Sequence, residues 1–208
     1  MNKKILVWSG WLLLMLSMVR VVQADTISNN FVYPSQGTYW GIPSFIQMAF
    51  SFTVPVNTDY TLDSIGIPLN VTTGPHLASI KVLADNNNSP GQDVESFLVT
   101  GQMTNDNLTV MESINKPTLW AGQQYWLSIA PAASDTTLEL RWARDPNGQV
   151  AYTLYGGAWE LSTPSQNYYP GAFEINGTPI AAPVPEPATM LLMGTGLAGL
   201  ISTRRKKK

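Results

Sequence analysis

Apolar and polar residues alternate along most of the middle of the chain. Residues 46–54 read Ile-Gln-Met-Ala-Phe-Ser-Phe-Thr-Val, with bulky apolar side chains at every second position. That is the period of a strand with one buried face. The same period returns at Ile65, Ile67, Leu69 and Val71, and at Ala78, Ile80, Val82 and Ala84. It returns again at Tyr125, Leu127 and Ile129, at Leu138, Leu140 and Trp142, and at Val150, Tyr152 and Leu154. Shorter strands are expected within residues 94–99, 108–114 and 171–175. Turn-forming clusters lie between them: residues 72–75, residues 85–91, Asp145-Pro146-Asn147-Gly148, and Tyr155-Gly156-Gly157. In the Asp-Pro-Asn-Gly cluster, Pro presets φ and Gly accepts a positive φ, so a tight turn is expected between Trp142 and Val150. No stretch between the two chain ends sustains a 3.6-residue period with caps. Strands about ten residues apart with turns between them predict an all-β domain, an antiparallel β-sandwich or jelly roll.

The ends follow another pattern. Lys3 and Lys4 precede an apolar run over residues 5–19, and Val22-Gln23-Ala24 offers a small-residue cleavage site. This is the layout of a secretory signal peptide, here residues 1–24, so signal peptidase and the Sec export machinery are expected partners. At the other end, residues 188–203 carry no charge and are followed by Arg204, Arg205, Lys206, Lys207 and Lys208. As a helix that segment rises about 24 Å, against a hydrocarbon core of about 30 Å. Snorkelling Arg and Lys stems and local thinning close the gap, and the cations stay on the cytoplasmic side. A single transmembrane helix is therefore expected at the C-terminus. Four prolines between Pro179 and Pro187 mark the segment before it as an extended spacer. The expected division is a signal peptide over 1–24, an exported domain over 25–176, a spacer over 177–184 and a terminal segment over 185–208.

The terminal segment resembles a known family. Val184-Pro185-Glu186-Pro187-Ala188-Thr189, a short apolar run and a closing basic cluster are similar to the PEP-CTERM sorting signal of Gram-negative bacteria. The resemblance implies that Pro185, Glu186 and Pro187 are the recognition element of an exosortase, an integral membrane cysteine transpeptidase that removes the tail. Residues 188–203 then match the family's helix and residues 204–208 its basic stop. It also implies export across the inner membrane, a transient anchor, and delivery to the cell surface or the extracellular polysaccharide of a biofilm. The local physics agrees, since two prolines hold Glu186 on a stiff segment with little ordering entropy left to lose on binding. The domain has a resemblance of its own. Thr61-Leu62-Asp63-Ser64-Ile65, Asp85 with Ser89-Pro90-Gly91, and Leu119-Trp120-Ala121-Gly122-Gln123-Gln124-Tyr125-Trp126-Leu127 occur in that order. The series looks like the choice-of-anchor β-domains, particularly type R, over roughly residues 45–160. That implies an architecture and no ligand.

Charge and composition narrow the chemistry. The overall net charge of −2 hides a strong asymmetry. Between residues 25 and 185 stand four basic residues, Lys81, Lys116, Arg141 and Arg144, against thirteen acidic ones, a net charge of −9. Such a domain has no basic patch with which to release counterions from nucleic acid. Cysteine is absent, so neither disulfides nor thiol chemistry are available and the core alone must hold the fold. His76, the single histidine, stands beside a turn, and a general base needs oriented partners. No nucleophile elbow, zinc-protease or phosphate-loop motif occurs. A non-catalytic protein with no cofactor is the expectation.

Two features stay open. The Asx-rich stretch from Asp85 to Glu95 offers Asp85, Asp93 and Glu95 as oxygen ligands that would suit Ca²⁺. Its spacing fails the EF-hand pattern, and the same residues make a good hairpin connection. Five tryptophans remain outside the signal peptide: Trp40, Trp120, Trp126, Trp142 and Trp159. Trp40, Tyr155, Trp159, Tyr168 and Tyr169 lie in Gly-, Asn- and Ser-rich segments suited to a sugar-contacting surface, while aromatics also close the ends of a core. The expected role is a structural or carbohydrate-associating module of the polysaccharide matrix. The alternative is a glycan-active or Ca²⁺-dependent hydrolase carried by the same tail.

Overall fold

The computed structural model describes residues 23–30, 39–101, 103, 108–141, 148–162 and 170–180. Among them lie fourteen strands in three antiparallel sheets and no helix. The first sheet has six strands in the order β13 (Glu160–Leu161), β12 (Val150–Leu154), β3 (Ile46–Thr53), β10 (Gln124–Pro131), β6 (Leu77–Asp85) and β7 (Pro90–Thr100). The second runs β1 (Asp25–Asn29), β14 (Glu174–Pro179), β4 (Tyr60–Ile67) and β8 (Thr109–Glu112), with β9 (Thr118–Leu119) also paired to β4. The third places β11 (Thr137–Arg141) between β2 (Tyr39–Pro43) and β5 (Leu69–Thr73). The all-β, antiparallel class expected from the alternation is what the chain adopts.

One hydrophobic cluster joins all three sheets. Met48, Phe50 and Phe52 of β3, Ile80 and Val82 of β6, and Tyr125, Leu127 and Ile129 of β10 supply one side of it. Leu62 and Ile65 of β4, Ile175 of β14, Leu69 of β5, and Leu138 and Leu140 of β11 supply the rest. Phe52 stacks on Tyr125 with ring centroids 5.8 Å apart and meets the edge of Phe173 at 6.1 Å. Each such large side chain contributes about 1.5–3 kcal/mol by leaving water, which is how a cysteine-free domain holds together.

The structure departs from the sequence pattern in three places. The run expected as one strand through Ile65, Ile67, Leu69 and Val71 is two strands, β4 and β5, divided at Pro68. Proline has no N–H for the ladder, so the chain leaves the partners of β4 there and joins β11 in the third sheet. Strands β11 and β12 do not pair with each other as a hairpin. Trp142 and residues 145–147 of the expected turn lie outside the described residues, while β11 and β12, on either side, belong to different sheets. Finally, the domain does not end at residue 176. Gly177, Thr178 and Pro179 pair with Leu62, Thr61 and Tyr60, so residues expected in the spacer complete β14. A Cβ at Gly177 would stand 2.6 Å from the Thr61 carbonyl oxygen, so that position is built into the sheet. Strands β1, β2, β9 and β13 were not legible as alternation, being short or, in β2, interrupted by Gly41. Residues 1–22 of the signal peptide expected over 1–24, and the terminal segment over 185–208, lie outside the described residues.

Two carboxylates tie separate strands together by hydrogen bonds. In β7 a bulge at Val94 puts Asp93 opposite Leu83 but Glu95 opposite Val82, so neighbouring acids face opposite sides of the sheet. Glu95 points inward and is 3 % exposed. It accepts hydrogen bonds from Ser113 Oγ at 2.6 Å and from the backbone N–H groups of Ile114 and Asn115 at 2.8 and 2.9 Å. This fastens the edge of the six-stranded sheet to the segment leaving β8. Asp63, on β4, accepts from Thr178 Oγ1 at 2.6 Å and pairs with Lys116 Nζ at 2.9 Å. Burial alone would raise the Asp63 pKa. The hydrogen bonds from Thr178 and Lys116, with the ammonium charge, outweigh burial and hold it below the ordinary value.

Two stability measurements follow from these contacts. Glu95→Ala leaves one hydroxyl and two N–H groups without their acceptor, and urea unfolding should show a loss of about 2–3 kcal/mol. Because the Asp63 pKa is depressed on folding, its stabilisation is present above the unfolded value near 4 and lost as pH falls through the folded one. Asp63→Asn should therefore flatten the acid limb of a stability-against-pH curve below about pH 4.

Candidate functional site

The alternation that builds the core also determines what the six-stranded sheet carries on its opposite side. On its other face stand Gln47, Ala49 and Ser51 of β3, Gln124, Trp126 and Ser128 of β10, Lys81 and Leu83 of β6, and Ala151 and Thr153 of β12. Six of them, Ala49, Leu83, Trp126, Ser128, Ala151 and Thr153, are buried there. Ala49, Leu83, Trp126 and Ala151 form a compact apolar floor, and Trp159 packs against it. Trp126 is fully buried, and its Nε1–H donates to Asp85 Oδ1 at 2.8 Å, so the indole carries no unpaired donor.

Beside this floor lies a hollow of about 190 Å³ lined by Gln47, Lys81, Leu83, Gly91, Asp93, Thr153, Gly156, Gly157 and Trp159. Pockets for drug-sized ligands run to about 300–1,000 Å³, so this one fits a single small polar unit. Lys81 Nζ and Asp93 Oδ2 are 2.7 Å apart on one wall, with side chains 33 % and 51 % exposed. On the floor, Gln47 Nε2 donates to Ser128 Oγ at 2.6 Å. Thr153, itself buried, donates from Oγ1 to the Gly157 carbonyl at 2.8 Å. An indole, an ammonium, a carboxylate and a hydroxyl thus line one cleft.

The hairpin carrying Trp159 is shaped by its turn. Tyr155 and Gly156 have φ of +51° and +71°, the type I′ signature, and Gly157 N–H donates to the Leu154 carbonyl at 3.0 Å. Tyr155 is held in this unusual conformation from outside. Its N–H donates to the Phe45 carbonyl at 2.8 Å, and its ring stacks on Phe45 at 5.5 Å. It remains 83 % exposed next to Gly156.

Of the aromatic residues expected at a sugar-contacting surface, Trp159 lines the hollow, while Tyr155 stacks on Phe45 in the neighbouring turn and is not among the lining residues. Trp40 lies on β2 in the third sheet, and its side chain, like Tyr168 and Tyr169, falls outside the described residues. Gln47, Lys81 and Thr153 were missed. The available signal was that the outward positions of β3, β6 and β12 are polar or small, but their proximity depends on strand order. The three acids considered for Ca²⁺ are not gathered. Asp85 accepts from Trp126, Gln124 and the Asn88 N–H, Asp93 pairs with Lys81, and Glu95 faces the opposite side of the sheet. Between Asp85 and Pro90 the chain forms a tight hairpin, with Asn87 and Asn88 at φ of +53° and +66°. Among the described residues no group of three or more acidic or histidine side chains is placed to hold a metal. His76 is exposed in the connection between β5 and β6.

Comparison with known proteins bears on the terminal segment. Residues 183–206 match the model of the PEP-CTERM protein-sorting motif. No curated protein matches the chain. Among the described residues no helix is long and apolar enough to cross a membrane, and residues 188–203 lie outside them. The matched motif supports an exosortase-substrate signal, and with it an exported protein that is processed at the membrane. Replacing Glu186 with Ala should leave full-length chain in the membrane fraction, read by immunoblot of fractionated cells. Release of a shortened form at the normal rate would count against recognition through that residue.

Proposed function

We propose that residues 25–180 form a two-layered β-sandwich serving at the cell surface or in the extracellular polysaccharide matrix, where it holds one residue of a glycan in the Trp159 hollow. In this reading the N-terminal signal exports the chain and the C-terminal helix anchors it. An exosortase then acts at Pro185-Glu186-Pro187. The protein is a substrate of that machinery and not itself a catalyst.

The observation that carries the proposal is the placement of Trp159 against the apolar floor of Ala49, Leu83, Trp126 and Ala151, with Lys81, Asp93 and Thr153 beside it. An indole face packs against the C–H side of a pyranose ring, while charged and hydroxyl groups bond its hydroxyls. The limited volume suits one residue of a polymer, whose neighbours continue along the open surface. For the alternative with a Ca²⁺ site, no group of three or more acidic or histidine side chains among the described residues is placed to hold a metal.

A glycan array probed with the exported protein, with and without EDTA, tests the proposal. Binding should be insensitive to EDTA and should weaken at least about tenfold in Trp159→Ala, equivalent to about 1.4 kcal/mol. Absence of binding in both conditions would reduce the domain to a structural role. Binding abolished by EDTA would instead favour the Ca²⁺-dependent alternative.

A further inference from the structure

The described chain ends at a particular place. Ile180 N–H donates to the Asp59 carbonyl at 2.8 Å, so the last described residue lies beside the start of β4. On the other side of β4, Tyr60 pairs with Leu119, which puts Trp120 next in line after β9. Gly122 N–H donates to the Val54 carbonyl at 3.1 Å, bringing the loop after β3 to the same end. Three apolar side chains project there: Val56 is 74 % exposed, Trp120 54 % and Ile180 41 %.

The backbone beneath them is fixed. Trp120 N–H donates to Tyr125 Oη at 3.0 Å, and Ala121 N–H donates to Asp59 Oδ1 at 2.8 Å. Asp59 is the one charged residue within 54–59 and 117–123, and its carboxylate is half-buried and bonded to the Ala121 N–H, in a domain of net charge −9. Only seven residues separate Ile180 from the uncharged segment that begins at Ala188. Fully extended, seven residues reach about 25 Å. A domain tethered that closely by an anchored segment keeps its exit end beside the lipid headgroups.

We propose that this end, formed by Val56, Trp120 and Ile180, is a docking surface for the lipid bilayer while the tail is in place. Trp120 sits at headgroup depth, where tryptophan is favoured, and the one carboxylate of these loops, Asp59, is half-buried and turned to the Ala121 N–H. A contact confined to a few side chains is weak by itself and persists only through the high effective concentration set by the short tether. Removal of the tail therefore also ends the contact. The docking rests on the anchoring reading above.

Full-length protein reconstituted into protein-free phosphatidylethanolamine–phosphatidylglycerol vesicles containing headgroup-proximal spin-labelled lipid provides the test. Vesicle flotation reports anchoring, and tryptophan quenching reports docking. Wild-type protein should float and show a quenched component that is lost in Trp120→Phe, an exposed and conservative change, and reduced by half or more in Val56→Asp. Flotation with equal quenching in wild type and Trp120→Phe overturns the docking and leaves this end to a protein partner. Failure to float overturns the anchoring and, with it, the docking.

Discussion

The pleat of β10 constrains both surfaces of the six-stranded sheet at once. Paired with β3 on one side and β6 on the other, it cannot slip without moving both neighbours. Its odd-numbered side chains, Tyr125, Leu127 and Ile129, enter the core, while Trp126 and Ser128 support the floor of the opposite face. A one-residue shift would put Trp126 into the core and expose Leu127. The register that satisfies the hydrophobic core is therefore the register that assembles the hollow. With no disulfide to enforce it, complementary burial on the two faces has to do so.

Polar contacts then fix what apolar packing leaves loose. Asp85 closes the β6–β7 hairpin through the Asn88 N–H and reaches the Trp126 indole, joining a turn to the floor. Glu95 serves the opposite face, bonding the segment after β8. The bulge at Val94 separates these duties, because without it Asp93 and Glu95 would share a face. An acidic stretch that reads as a cation loop is spent on hydrogen bonds and on one ion pair with Lys81.

Legibility in the sequence followed the physics of each part. β3, β6, β10 and β12 were legible because each has one face in the core and one outside it, so every second side chain is apolar. β1 and β13 lack that contrast, being short and largely exposed, and β9 has only two residues. Pro68 was visible, yet its consequence, the passage of the chain to a different sheet, depends on where β11 lies. Trp159 could be picked out as an aromatic in a Gly-rich segment. Its partners could not, since Lys81, Asp93 and Thr153 come from three strands whose order no local pattern reveals. The terminal motif was legible for the opposite reason: its order and spacing are local.

The indole N–H resonances of the tryptophans examine the Trp159 hollow directly. Matrix oligosaccharide titrated into ¹⁵N-labelled protein should shift the Trp159 indole signal progressively and to saturation, while that of Trp126, buried and bonded to Asp85, moves far less. An unmoved Trp159 signal at saturating oligosaccharide, or shifts confined to Trp120, would contradict a sugar-binding role for this face.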